Sequence, residues 1–300
     1  MSNHVDIATP GRTKEILDKY HLKAKKSLGQ NFIVDTNILG KMVAAGDVDE
    51  DTIVIEIGPG IGALTEQIAK VAKKVYAFEI DERFLRVLED TLSPYPNVTV
   101  IHQDILEVDF DAFQKDHLGG DERLVVIANL PYYITTPIIM HLLESSLPVE
   151  QMLLMMQKEV ASRLEAVPST KAYGSLSIAL QYYTEVEVAF TVPRTVFNPQ
   201  PNVESAVIKL DVREKPAVDV QNEQLFFTIV RASFGQRRKT IWNNLRRVLD
   251  NKELEDQLKQ AFENAEMDPS RRGESLTGTE FGRLADAMNE LSLTELSLIS

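Results

Sequence analysis

A buried-strand pattern, Thr52-Ile-Val-Ile-Glu-Ile57, runs directly into Gly58-Pro-Gly-Ile-Gly62. Glycines at that point permit a tight turn and let a ligand approach the backbone at the carboxyl end of the strand. The pattern then alternates. Helix is predicted near Ala63 to Val71, strand over Lys74 to Ile80, helix near Glu82 to Thr91 and strand over Val98 to His102. Strand follows over Leu124 to Ala128, helix near Thr136 to Glu144, a strand-like run over Gln151 to Met156 leading into a helix, and a last strand over Val203 to Val212. Alternation of this kind predicts an α/β fold, a parallel sheet flanked by helices.

Upstream, the residues after Pro10 and Gly11 read as a helix with Thr13 as N-cap and Ile16, Leu17 and Tyr20 on one face. A basic loop, Lys23 to Asn31, separates it from a helix that starts near Thr36. Beyond Arg213-Glu-Lys-Pro216 the strand signals stop. Helical periodicity continues around Leu225 to Ser233, Ile241 to Leu249, Leu254 to Phe262 and Phe281 to Met288. The expected organisation is residues 1–212 as one domain, with 1–50 as a helical and basic extension, and 213–300 as a smaller all-helical domain.

An apolar fraction of 44% can fill a core in a chain of 300 residues, which excludes disordered and low-complexity classes. The apolar region from Leu124 to Leu143 is broken by Asn129, Pro131 and Pro137, so no membrane span is expected. The first thirty residues lack an apolar core for a secretory signal, and a cytoplasmic location is expected. The chain has no cysteine, which excludes disulfides, thiolate zinc sites and a Cys nucleophile. A net charge of −13 has the wrong sign for a nucleic-acid binder. Two basic islands run against it: Arg12 to Lys41 holds seven basic and three acidic residues, and Arg231 to Arg247 holds six basic and none acidic.

Three acids sit at the ends of successive strands. Glu56 precedes the first glycine by two residues, where it would repel a pyrophosphate and attract an ammonium group. Glu79 ends the second strand, where a carboxylate accepts hydrogen bonds from a ribose diol. Asp104, past the third strand, is placed to accept from an adenine amine. Read singly, each is a helix N-cap or a surface acid. Together they suit S-adenosylmethionine, which offers all three partners. The same Gly58-x-Gly60-x-x-Ala63 run with Glu79 also satisfies the dinucleotide fingerprint, so a nicotinamide or flavin enzyme is a rival reading.

The most specific motif is Asn129-Leu-Pro-Tyr-Tyr133. An exocyclic adenine amine is a weak nucleophile because its lone pair is delocalised into the ring. Acceptors on its two hydrogens, the Asn129 side-chain oxygen and a carbonyl of Leu130 or Pro131, would orient it and favour the developing positive charge. Tyr132 is placed to stack on a base extruded from its helix.

With Ser27-Leu-Gly-Gln-Asn-Phe32, Gln157-Lys-Glu-Val-Ala161, Val196-Phe-Asn-Pro199 and Phe234-Gly-Gln-Arg-Arg-Lys239, these motifs resemble the ribosomal RNA adenine N6,N6-dimethyltransferases of the small-subunit type. The resemblance runs from about Lys25 to Leu284. It implies a Rossmann-like class I S-adenosylmethionine-dependent methyltransferase fold, a seven-stranded sheet whose last hairpin is antiparallel, followed by a helical domain. It implies that Gln30, Asn31 and Ile33 join Glu56, Gly58, Gly60, Gly62, Glu79, Asp104 and Asn129 around the cofactor. It also implies that Phe197 helps Tyr132 hold the target base, core packing being the alternative for Phe197. The implied substrate is a pair of adjacent adenosines in the terminal hairpin of small-subunit rRNA, in an immature 30S subunit. Arg237, Arg238 and Lys239, read as part of a helix whose Ile241 and Leu245 face inward, are expected to contact RNA phosphates, with Lys25 and Lys26 as weaker candidates. A monomer is expected. The competing readings are a resistance-type large-subunit rRNA methyltransferase and a ribosome-assembly factor whose methylation is secondary.

Overall fold

The computed structural model describes residues 5–22, 31–120, 122–130, 134–249 and 254–293. The chain divides into two compact units, residues 1–161 with 186–212, and residues 162–185 with 213–300.

In the first unit, helices α1 (Pro10–Lys19), α2 (Thr36–Ala45), α3 (Ala63–Ala69), α4 (Glu82–Thr91), α5 (Phe110–His117) and α6 (Thr135–Leu143) alternate with strands, and α7 (Lys158–Leu164) starts in it and crosses the division at residue 161. The strands are β1 (Phe32–Ile33), β2 (Ile53–Ile57), β3 (Lys74–Glu79), β4 (Val98–His102), β5 (Leu124–Asn129), β6 (Val149–Gln157), β7 (Thr184–Val192), β8 (Phe197–Asn198) and β9 (Ser205–Val212). Seven of them form one sheet in the order β4-β3-β2-β5-β6-β9-β7. β2 runs parallel to both β3 and β5, and β6 is antiparallel to β9. All five residues of β2 are buried, which is why its apolar run is nearly continuous.

Val54, Val75, Val125, Ile127, Leu153 and Met155 supply a sheet face against which Ile16, Leu39, Met42, Leu64, Ile68 and Val87 pack as one core. Helix ends follow their caps. Asp35 accepts from the N–H groups of Asn37 and Ile38 at the start of α2, and Asp81 accepts from that of Arg83 at the start of α4. The cap of α1 is Thr9, with Pro10 in the first turn. Thr13, expected at that position, is buried inside the helix and donates its hydroxyl to the Ile7 carbonyl. β7, α5 and the helix over Ser175–Tyr183 were not anticipated from the sequence; only β7's place as a last strand was implied, by the seven-stranded resemblance.

The second unit contains α8 (Ser175–Tyr183), α9 (Glu223–Ser233), α10 (Ile241–Arg246), α11 (Glu255–Asn264) and α12 (Gly278–Glu290). Its core gathers Tyr173, Ile178 and Tyr182 with Phe226, Ile229, Ile241, Leu245, Phe262 and Phe281. The expected boundary near 213 is therefore one of three crossings: residues 162–185 belong with the helices because their apolar side chains are buried there. Among the described residues, no helix is long and apolar enough to cross a membrane.

Candidate active site

β2 has a parallel neighbour on each side, reached by connections that leave in opposite directions. The crevice beyond the carboxyl ends of such strands is where α/β folds bind ligands. A cavity of about 220 Å³ lies there. Glu56 of β2, Glu79 of β3, Asp104 just past β4 and Asn129 at the end of β5 all line it. A wall comes from far away in the sequence. β1 pairs antiparallel with β8, Phe32 opposite Asn198 and Ile33 opposite Phe197, and the Val34 N–H donates to the Val196 carbonyl at 2.8 Å. This ribbon brings Asn31, Ile33 and Phe197 to the same cavity.

The glycine loop is shaped for close approach. Gly58, Gly60 and Gly62 have φ of 70°, 59° and 90°, a region that side chains with a Cβ rarely adopt. Gly58 and Gly60 line the cavity, whereas Gly62 does not. Gly62 closes the turn by donating to the Pro59 carbonyl at 2.9 Å and caps α3. A Cβ on it would meet Leu92 at 3.1 Å, so its small size also serves packing against the end of α4. Thr91 braces the same loop by donating its hydroxyl to the Ile61 carbonyl at 3.1 Å.

Glu79 holds the loop open. Its two carboxylate oxygens accept from the N–H of Gly60 at 3.1 Å and of Asp81 at 2.8 Å. Burial pushes its pKa up, and those two backbone donors oppose the rise. A carboxylate has about four acceptor positions, so two remain for a ribose. Asp104 spends one oxygen capping the short helical turn Ile105–Glu107, accepting from the Leu106 N–H at 3.0 Å. Its capping role and its place on the cavity wall coexist.

Glu56 is the electrostatic centre. It is 1% exposed, and its Oε2 atom has no hydrogen-bond partner among the described residues. Burial pushes its pKa up to about 8, with the Glu79 charge adding to the rise. The Thr65 hydroxyl nearby opposes the shift but makes no hydrogen bond of normal geometry. An orphaned buried carboxyl oxygen on the wall of a cavity that also holds Glu79, Asp81 and Asp104 suits a cationic ligand and repels a pyrophosphate. This separates S-adenosylmethionine, with its ammonium and sulfonium, from the dinucleotide reading.

Asn129, the last residue of β5, and the buried Leu130 also line the cavity. Phe197 is 4% exposed and belongs at once to the core and to the cavity wall. Gln30, Pro131 and Tyr132, with Lys25 and Lys26, lie outside the described residues. Sequence reasoning missed Ile57, Ile80, Asp81, Gln103 and Ile134, which also line the cavity. Ile80 carried a signal, a large apolar residue directly after the strand-ending acid, and it is 63% exposed at the rim.

The second basic island departs from expectation. Residues 235–240 form a turn, and α10 starts only at Ile241. Arg238 and Lys239 are exposed on that turn. Arg237 instead spends its guanidinium within the helical unit, donating to Glu274 at 2.8 Å and to the carbonyls of Thr170 and Tyr173 at 3.2 and 3.1 Å. The expectation that Ile241 and Leu245 face inward is met, since both are fully buried.

Sheet order, glycine loop and acidic cavity define a methyltransferase that uses S-adenosylmethionine. The family model described as ribosomal RNA adenine dimethylase matches residues 21–282. Proteins named ribosomal RNA small subunit methyltransferase A are similar along nearly their whole length. The one from Bacillus pumilus is 58% identical over 95% of this chain and 98% of its own, and that of Geobacillus thermodenitrificans 59% over 96% and 99%. Among solved structures, a dimethyladenosine transferase from Plasmodium falciparum superposes with a TM-score of 0.71 at 25% identity, covering 87% of this chain and 98% of that one. The 23S rRNA methyltransferase ErmE gives 0.64 at 25% identity, covering 86% and 100%. The chain belongs to the ribosomal RNA adenine dimethylase family.

Proposed function

We propose that this protein dimethylates N6 of two adjacent adenosines in the 3′-terminal hairpin of small-subunit (16S) rRNA, acting as a cytoplasmic monomer on the immature 30S subunit. The observation that carries the reading is the placement of Asn129 on the same cavity as Glu56, Glu79 and Asp104. The bound cofactor supplies an electrophilic methyl group on a sulfonium sulfur. Glu56 would pair with its ammonium, Glu79 would accept from its ribose, Asp104 would accept from its adenine, and the Gly58–Gly60 backbone would give it room.

Asn129 and a carbonyl of Leu130 or Pro131 accept the two hydrogens of the target amine, aiming the nitrogen lone pair at the methyl carbon. Transfer would form the N–C bond as the methyl carbon's bond to sulfur breaks, the electron pair staying on sulfur to leave a neutral thioether; the positive charge that grows on the nitrogen would strengthen both hydrogen bonds, so the stabilisation is largest in the transition state. The proton then leaves to solvent. No strong base is required. Phe197 and Tyr132 flank the extruded base, and Arg238 and Lys239 contact phosphates. A role in subunit biogenesis accompanies the chemistry.

The test is mass mapping of dimethyladenosine in rRNA from cells lacking the protein, complemented with wild type or Asn129→Ala. Loss of the small-subunit marks, restored only by wild type, is expected. Marks lost from the large subunit would move the substrate to the resistance-type reading. An Asn129→Ala variant without methylation that still fully supports subunit maturation would make binding the principal role.

A further inference from the structure

The turn at residues 235–240 is held by two side chains, the buried Asn244 and the turn's own Arg237. Asn244, 3% exposed, accepts from the Gln236 N–H at 3.1 Å and donates to the carbonyls of Ser233 and Gln236 at 2.9 and 3.2 Å. Arg237 ties the same turn to two other segments, 170–173 through backbone carbonyls and 273–275 through Glu274. Those segments are also joined to each other. The Ser169 N–H donates to the Glu274 carbonyl at 2.7 Å, and the Tyr173 hydroxyl to the Leu276 carbonyl at 2.8 Å. Gly273 packs so closely on Ser233 that a Cβ would lie 2.8 Å from its carbonyl oxygen.

Three segments distant in sequence thus form one surface, and each carries exposed cations: Arg238 and Lys239 on the turn, Lys171 on the second, Arg272 on the third. The carboxylates woven into the junction are already matched, Glu274 by Arg237 and Glu280 by Arg271. None of the four exposed cations has an ion-pair partner among the described residues. A local excess of positive charge on a chain of net charge −13 fits a polyanionic backbone.

We propose that Lys171 and Arg272 belong with Arg238 and Lys239 to a single RNA phosphate-binding surface, and that Arg237 is a positioning residue that fixes its geometry. The inference rests on the reading of the basic turn as an RNA contact and extends it to residues outside the basic island. Arg237 acts through its planar fork, which reaches two carbonyls and a carboxylate together; a lysine has the charge without that geometry.

The experiment measures binding to small-subunit particles from cells lacking the protein, between about 50 and 200 mM salt, the range over which phosphate contacts are resolved. Lys171→Ala with Arg272→Ala is expected to weaken binding and flatten the slope of log K against log salt by about 0.9 for each lost contact. Arg237→Lys is expected to weaken binding as much as Arg237→Ala, although it keeps the charge. Calorimetric binding of S-adenosylmethionine and thermal unfolding report whether each variant is folded, and Arg237→Lys is compared at a temperature well below its own midpoint. An unchanged slope for the Lys171 and Arg272 pair, or full rescue by Arg237→Lys, overturns the proposal. Arg238→Ala with Lys239→Ala is measured alongside. If that pair has no effect, the basic-turn reading fails; if it weakens binding while the Lys171 and Arg272 pair does not, only the extension fails.

Discussion

At the scale of single residues, Glu56 shows how one buried group sets both ligand preference and pH response. Its pKa, raised to about 8 from an ordinary 4.5, means the ligand-free fold holds a proton there that the unfolded chain has released at neutral pH. Stability therefore falls as pH rises from about 4.5 towards 8, since the native state binds more protons over that window. Glu56→Gln is expected to be more stable than wild type by roughly 3 kcal/mol at pH 7. Urea denaturation at pH 5 and pH 7.5 checks this: the gap should widen with pH, and a constant gap would contradict it. An ammonium ligand needs the ionised form, so S-adenosylmethionine binding at pH 7 should release a proton. Calorimetry in buffers of different ionisation heat should find that release in wild type and lose it in Glu56→Gln.

At the scale of elements, the glycine loop is supported by α3 and α4 rather than by the strand alone. Gly62→Ala would place a Cβ against Leu92 at a φ of 90°, and is expected to cost about 1–3 kcal/mol and weaken cofactor binding. Chemical denaturation with parallel calorimetry measures both. α3 also anchors the segment ahead of α1. The buried Glu66 accepts from the Ile7 N–H at 2.8 Å and from the Tyr95 hydroxyl at 3.0 Å, while Lys70 pairs with Asp6 at 2.8 Å. Glu66→Leu removes the acceptor of the buried Ile7 N–H, a loss of about 1–3 kcal/mol. Limited proteolysis should then cut ahead of α1 much faster than in wild type; equal rates would show that the anchor lies elsewhere.

At the scale of the whole molecule, acidity and RNA binding are reconciled by uneven charge. A chain of −13 repels polyanions generally, so a confined basic surface favours a partner of matching shape over nucleic acid at large. Unrelated duplex RNA at 150 mM salt is expected to bind at least about a hundredfold more weakly than the small-subunit particle, by filter binding. Comparable affinities would show that charge confinement confers no selectivity.

Much of this was legible in the chain because it is local. The run into Gly58 predicted β2 and its turn, the acids at strand ends predicted three cavity walls, and Asn129 announced itself at the end of β5. The glycine turn after β2 and the alternation of apolar strands with amphipathic helices depend on neighbours in sequence, and the sequence determined them by itself. What only the tertiary structure decided depends on distant partners. β1 and β8 pair across more than half of the chain to bring Asn31 and Ile33 beside Phe197. Residues 162–185 leave the sheet because Tyr173 and Tyr182 find their apolar surroundings among the later helices. Arg237 is held within the helical unit because its fork meets two carbonyls and a carboxylate at once, and no local pattern encodes where those acceptors will be.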